Sequence, residues 1–325
     1  MSAHSVDPVL QGELAYEALR LAFIPWQRER RIAKEQERTR IARFSSSVIA
    51  GGLQHSIALR GDGGIACWGD NGEGQAPPDG VDGEFVALAA GFLHSLAVRR
   101  DGGIACWGEK GAGQAPRHGF HGDFVMVAAG TNHSLALRRD GGIACWGDNS
   151  FGQAPPGGVD GDFVAIATAY QHSLAIRRDG RIACWGSNTN GQAPPDGIQG
   201  DFVAIAAGDF HSLAIRRDGS IACWGWNDDG QAPPDGIDGD FVAIAAGFHH
   251  SLALRRDGRI ACWGRNDDDQ APPGGVDGDF VAIAAGDHHS LALRRDGNVA
   301  CWGLNGNDQA PPAGVLGPFG LNVDV

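Results

Sequence analysis

Apolar and polar positions along most of this chain fall into short blocks that recur. In the stretch from Phe202 to Asp240 an apolar run, Phe202–Ala207, is followed by a second, His211–Ile215, then by the polar tetrad Arg217-Asp218-Gly219-Ser220, and then by a third run, Ile221–Trp224. Short apolar runs without helix caps read as strands, and Asp-Gly between two of them signals a tight hairpin. The remainder of the block, Gln231–Asp240, contains Pro233 and Pro234, which cannot donate to a central ladder and belong on an outer edge or in a loop. Each block therefore predicts a small antiparallel sheet of three strands with a weak fourth edge.

The blocks repeat with a fixed period. Cys-Trp-Gly begins at Cys67, Cys106, Cys145, Cys184, Cys223, Cys262 and Cys301, at intervals of 39, and His55, His94, His133, His172, His211, His250 and His289 keep the same interval. A sheet this small cannot bury both faces alone, so the seven copies must stack, and stacking around an axis gives a propeller. The Ala-rich first strand suits the crowded centre, and Trp suits the wider gaps further out. The predicted fold is all-β: a seven-bladed β-propeller of 39-residue repeats over residues 45–325, preceded by an N-terminal α-helical segment over residues 1–44. Phe319 stands 39 positions after Phe280, in register with the first strand, whereas the start of the first copy, Ser45–Ser47, is poor in apolar residues. The tail is therefore expected to help seal the first blade, because closure removes exposed edges.

The N-terminal segment is of another kind. Leu10, Leu14 and Leu19–Ile24 form an apolar stripe, Pro25 should kink or end the helix, and Arg28–Arg43 is densely charged. Its apolar cluster is too short to span a bilayer and lacks the cleavage site of a secretory signal. Eight basic residues against six acidic ones up to Arg43 leave it at +2, so the propeller carries −15 of the total −13. The segment could dock on the acidic propeller, on a partner, or on a membrane surface, in that order of preference. The overall negative charge argues against a nucleic-acid surface, which draws its affinity from clustered Lys and Arg. With no export signal, seven cysteines read as reduced thiols and the protein as cytoplasmic.

The unit G-x-x-H-S-L-A-x-R-x-D-G-x-I-x-C-W-G-x-N-x-x-G-Q, as it stands from Gly208 to Gln231, resembles the repeat of the regulator of chromosome condensation (RCC1) family. The resemblance covers roughly residues 46–325. The units are short and uniform, and Gln is followed by Ala-Pro-Pro where eukaryotic repeats continue Leu-Gly, so the chain is similar to compact bacterial members, among them a propeller that inhibits β-lactamases. The resemblance implies a propeller that binds proteins; guanine-nucleotide exchange on a small GTPase is the alternative it suggests.

No catalytic constellation emerges from the residues. In each His-Ser pair, such as His172-Ser173, strand neighbours point to opposite faces, so the imidazole cannot serve its adjacent hydroxyl as a base. Cysteines on equivalent strands of neighbouring blades fall roughly 13 Å apart, beyond disulfide reach. Cys and His recur singly on different strands, and the Asp-rich loops at Asn227-Asp228-Asp229 and Asn266–Asp269 lack the alternating ligand spacing of a calcium loop, so neither a metal nor a cofactor is expected. The chain reads as a non-enzyme.

Comparing the seven copies with one another, variation concentrates just before the repeated His and just after Trp-Gly. Antiparallel order puts both loops at one end of every blade. The variable set includes Phe92, Leu93, Asn132, Tyr170, Gln171, Asp209, Phe210, Trp226, Phe248, His249, Asp287 and His288. Aromatics among charged groups on a rigid scaffold are typical of protein-recognition surfaces. These residues are the expected contact surface of a protein-binding scaffold or inhibitor-like module. The opposite end repeats Arg-Arg-Asp-Gly turns beside acidic segments, which read as a solvated, mutually neutralising rim.

Overall fold

The computed structural model describes residues 48–320. The expected N-terminal helix and its boundary at residue 44 lie outside the described residues.

Seven three-stranded antiparallel sheets, each in the order inner, middle, outer, make up the described chain. Blades I to VII begin with inner strands at Ile49–Gly51, Phe85–Ala90, Phe124–Ala129, Phe163–Thr168, Phe202–Ala207, Phe241–Ala246 and Phe280–Ala285. In blade V the middle strand is His211–Arg216 and the outer strand Ile221–Gly225. The fourth edge is a single antiparallel bridge per blade, such as Ile221 to Ile237, placed just beyond the two prolines. Inner strands from all seven blades meet at the axis, where their C-terminal ends line a cavity of about 110 Å³. Small Ala side chains permit this convergence, as the sequence suggested.

Two glycines per blade make the turns possible. Gly219 closes the Asp-Gly hairpin at φ +95°, and Gly225 leaves the outer strand at φ +100°, where a Cβ would lie 2.6 Å from the Phe210 carbonyl oxygen. In six blades the inner strand also carries a bulge immediately after its Phe, as between Phe202 and Ala204.

The middle strand holds the blades together through a ring of polar bonds. His211 Nε2 lies 2.9 Å from Ser251 Oγ of the next blade, and Ser251 Oγ donates to the Gln231 carbonyl at 3.0 Å. Trp263 Nε1 donates to that same carbonyl at 2.8 Å. The triad recurs at every interface, including the seam between blades VII and I, where Ser56 meets His289 at 2.8 Å and both Ser56 and Trp68 donate to the Gln309 carbonyl. The His-Ser pairs are thus structural, and each His bonds not its neighbour in sequence but the serine one blade on. The Trp side chains lie on the outer strands, across the widening gap between blades.

The seam is completed by the tail. Phe319 bridges Arg60 in the register that Phe85 takes against Arg99 in blade II, and Gly320 N–H donates to the Leu59 carbonyl at 2.9 Å. The inner strand of blade I is therefore composite: Phe319 comes from one end of the propeller and Ile49–Gly51 from the other.

The seven cysteines are free. Cys223, Cys262 and Cys301 are buried, whereas Cys67, Cys106, Cys145 and Cys184 are only half-buried, because the outer strands diverge. Burial still pushes all seven thiols up to about 12. Thiolate is the reactive form, so at pH 8 a disulfide reagent should label the native protein slowly and all seven sites rapidly after denaturation. Rapid labelling of the four half-buried positions in the native state would show that accessibility outweighs the raised pKa.

Candidate protein-interaction face

The two variable loops of each blade are joined by the main chain. The N–H just after Trp-Gly donates to the carbonyl of the residue before the repeated His in all seven blades, as from Trp226 to Phe210, at 2.7–2.9 Å. The two variable loops therefore share one face, and this bond fixes the backbone from which their side chains project.

On blades IV to VII the structure brings the expected residues together. Phe210 is the hub. Its ring centroid lies 5.4 Å from Tyr170, 5.4 Å from Trp226 and 5.6 Å from Phe248, all in edge-on arrangements. His249 stacks on Phe248 at 4.2 Å and meets Trp226 at 4.8 Å, while His288 lies 5.6 Å from Phe248. Edge-to-face contact at these separations is favourable beyond the area buried. The cluster is half-buried rather than sealed, and mutual packing holds its rings in place.

Other expected residues do not join it. Phe92 on blade II lines the axial cavity, Leu93 on blade II and Asn132 on blade III lie outside the blades that build the cluster, and Gln171 contributes its carbonyl to Ser187 N–H. Asp209 and Asp287 turn inward and line the axial cavity. Asp209 is only 9% exposed, and burial together with the nearby Asp287 holds its carboxyl well above the usual range. Burial alone pushes Asp287 up to about 7.

Two features escaped the sequence reading. Asp229, read as part of a solvated loop, lies 2.7 Å from His249 Nδ1 of the next blade. Burial lowers the His249 pKa and the Asp229 charge partly restores it. The fixed 20-residue offset between one blade's late loop and the next blade's His region, already present in the Gln231 to Ser251 bond, is the signal that could have located this pair. The second feature is blade IV, which carries Thr168-Ala169 where blade I carries Gly51-Gly52 and the other five carry Ala-Gly. Thr168 Oγ1 bonds His133 Nε2 and donates to the His172 carbonyl. The turn bond from Ala169 N–H to that carbonyl lengthens to 3.4 Å, against 2.9–3.0 Å from the equivalent glycines.

The residue after Trp-Gly decides whether the buried Gln of its blade finds a side-chain acceptor. In blades I and III an Asp after Trp-Gly accepts from the buried Gln amide, Gln75 to Asp70 at 2.8 Å and Gln153 to Asp148 at 2.9 Å. In blades II, V and VII, where Glu109, Trp226 and Leu304 follow Trp-Gly, the Gln114, Gln231 and Gln309 Nε2 atoms are buried without a partner. An unpaired buried donor costs about 1–3 kcal/mol.

The opposite face is occupied by structural pairings. The first Arg of each Arg-Arg turn lies over the Phe that starts the inner strand, as Arg177 over Phe163 at 4.8 Å. The second pairs with the acidic residue sixteen positions earlier, as Arg178 with Asp162 at 2.7 Å and Arg295 with Asp279 at 2.9 Å. These exposed pairs each contribute little to stability.

The family model for the regulator of chromosome condensation (RCC1) repeat matches seven segments, 47–75, 85–114, 124–153, 163–192, 202–231, 241–270 and 280–309, which together exceed half of the chain. The chain belongs to the RCC1-repeat family. Among solved structures, this RCC1-repeat propeller is similar to the CRINKLY WD40 ectodomain of the Arabidopsis thaliana receptor kinase ACR4, with 23% identity over 82% of this chain and 98% of that one, at a TM-score of 0.65. It is similar to the ectodomain of the Physcomitrella patens receptor kinase CR4, with 25% identity over 79% and 72% of the two chains, at 0.63. It also resembles Prp20p of Saccharomyces cerevisiae, a structure described with its binding to Gsp1p and histones, with 20% identity over 85% and 86%, at 0.61. No curated protein matches the sequence. Among the described residues, no helix is long and apolar enough to cross a membrane, and no group of three or more His, Cys, Asp or Glu could hold a metal ion.

Proposed function

We propose that this RCC1-repeat propeller is a non-catalytic protein-binding module that engages its partner through the variable-loop face of blades IV to VII. The observation that carries the reading is the half-buried aromatic cluster around Phe210, which joins side chains of three adjacent blades through edge-on ring contacts. Rigid aromatic anchors that are already packed lose little side-chain entropy on binding, and Tyr and Trp are enriched in interface hot spots. Protein binding by Prp20p, a member of the same fold, supports the reading. Nucleotide exchange on a small GTPase is less favoured, since among the described residues the seven uniform blades carry no protruding insertion to pry at a nucleotide site. Seven free thiols suit a reducing compartment, and we place the protein in the cytoplasm.

Affinity capture followed by mass spectrometry, repeated with face-specific variants, tests this. Removing a central aromatic anchor costs ~2 kcal/mol or more, so Phe210→Ala should weaken the principal captured partner about thirty-fold. Arg139→Ala and Arg178→Ala, on the opposite face, should leave capture unchanged. The second Arg of each turn is the proper control, because the first supports the fold through its Phe. Loss of the partner in the Arg variants with retention in Phe210→Ala would move the working face to the other side.

A further inference from the structure

At the centre of the aromatic face the propeller axis opens into the cavity of about 110 Å³ lined by the ends of all seven inner strands. Most of its wall is Gly and Ala backbone, and that backbone is largely self-satisfied. Bonds of 3.1–3.4 Å join blade I to II, II to III, III to IV, VI to VII and VII to I around the mouth, as from Asp287 N–H to the Gly52 carbonyl. Among the described residues the two gaps in this ring fall on either side of blade V, which supplies Asp209.

Two carboxylates, Asp209 of blade V and Asp287 of blade VII, enter this space. Asp209 is more than nine-tenths buried, and neither carboxylate has a hydrogen-bond or ion-pair partner among the described residues. Holding two like charges near each other in the cavity, Asp209 buried and Asp287 half-buried, without a counter-charge is costly, and both carboxyls are pushed toward their neutral form. A bound cation is the species that would relieve it. The surroundings select which cation: a metal ion wants more oxygen ligands than this pair supplies, whereas Phe92 lines the cavity and Tyr170, Phe210 and Phe248 directly follow the lining residues Ala169, Asp209 and Gly247, so aromatic side chains suited to an organic cation surround the mouth. The cavity is large enough for the head group of one side chain and too small for a folded element.

We infer that the axial mouth receives a single Lys or Arg side chain of a protein bound across the aromatic cluster, with Asp209 and Asp287 as its counter-charges. The inference rests on the proposed binding face and names its specificity: a basic residue at the centre of the epitope, flanked by apolar side chains that contact Phe210, Trp226 and Phe248. One basic side chain against two otherwise unpaired carboxylates would contribute both affinity and register, since a neutral or acidic residue at that place would cover the pair and leave it uncompensated.

A displayed library of random dodecapeptides, selected on the full chain, tests this. Selected peptides whose binding is lost on Phe210→Ala should each carry a Lys or Arg. Replacing that residue with norleucine should weaken binding at least ten-fold, and the double variant Asp209→Asn/Asp287→Asn should bind the Lys and norleucine peptides alike. The Asn pair removes repulsion, so this variant should unfold at no lower a temperature than the parent, and a lost preference then reports on charge rather than on folding. Peptides that need Phe210 but are neutral, and that bind the Asn variant as tightly as the parent, overturn the inference while leaving the binding face in place. Peptides indifferent to Phe210→Ala and Trp226→Ala, or no selected peptides at all, overturn both.

Discussion

Lowering the pH from 7 toward 5 is expected to unfold the propeller. Each of the seven repeated histidines is fully buried, with Nε2 against a serine of the next blade. That serine donates its own proton to a Gln carbonyl, so its oxygen accepts from the imidazole, and the imidazole proton must sit on Nε2. Nδ1 has no partner in any of the seven. A second proton would therefore create a buried charge with nothing to receive it. Burial, and then repulsion from the neighbouring histidines of the ring, lowers all seven pKa values from 6.5 to about 3.

The sign follows from proton counts. Between about pH 6.5 and 3 the unfolded chain binds protons that the folded ring refuses, so stability falls as pH falls through 6.5. Each histidine costs up to about 1.4 kcal/mol per pH unit in this range, and seven together roughly 10 kcal/mol per unit. Domain stabilities of about 5–15 kcal/mol are exhausted within one or two units. Asp209 and Asp287 act in the opposite sense, because their raised pKa values let the folded state hold protons the unfolded state has lost. Two such groups do not offset seven. Far-UV circular dichroism and tryptophan fluorescence followed from pH 8 to 3 should show one cooperative loss of structure centred near pH 5. A native signal persisting at pH 4 would falsify the account of the histidine ring.

Replacing Phe319 with Ala should destabilise the propeller by roughly 2–3 kcal/mol, below the cost of truncating a fully buried Phe because Phe319 is half-buried. The residue fills the place taken in the other blades by Phe85, Phe124, Phe163, Phe202, Phe241 and Phe280, and its ring lies 6.4 Å from Trp68. Deleting residues 317–325 should cost more, since it also removes the bonds from Gly61 N–H to the Pro318 carbonyl and from Gly320 N–H to the Leu59 carbonyl. An opened ring exposes two blade edges and becomes prone to association. Urea unfolding monitored by fluorescence, with size-exclusion chromatography of the deletion variant, checks both expectations. If Phe319→Ala unfolds at the same urea concentration as the parent, closure rests on the polar seam between His289, Ser56 and Trp68 alone.

Much of this molecule was legible in the sequence because its information is periodic. An interval of 39 residues determined the number of blades, the antiparallel order within each, the shared face of the two variable loops, and the register that lets Phe319 complete blade I. Local physics suffices for these: hairpin turns, alternating strands and the inability of a small sheet to bury itself.

What the period could not supply was contact between blades. His211 and Ser212 are neighbours in sequence, yet the bond runs from His211 to Ser251, because adjacent strand residues face opposite sides and only the next blade brings a hydroxyl to the imidazole. The variable residues looked alike as one set of loop positions. Placing them around the axis separated them: Tyr170, Phe210, Trp226, Phe248 and His249 converge across neighbouring blades, Leu93 and Asn132 lie on blades outside that cluster, and Phe92, Asp209 and Asp287 line the axial cavity. Whether a loop carboxylate is solvated or buried depends on what the adjoining blades exclude from water, and that was decided only when the ring closed.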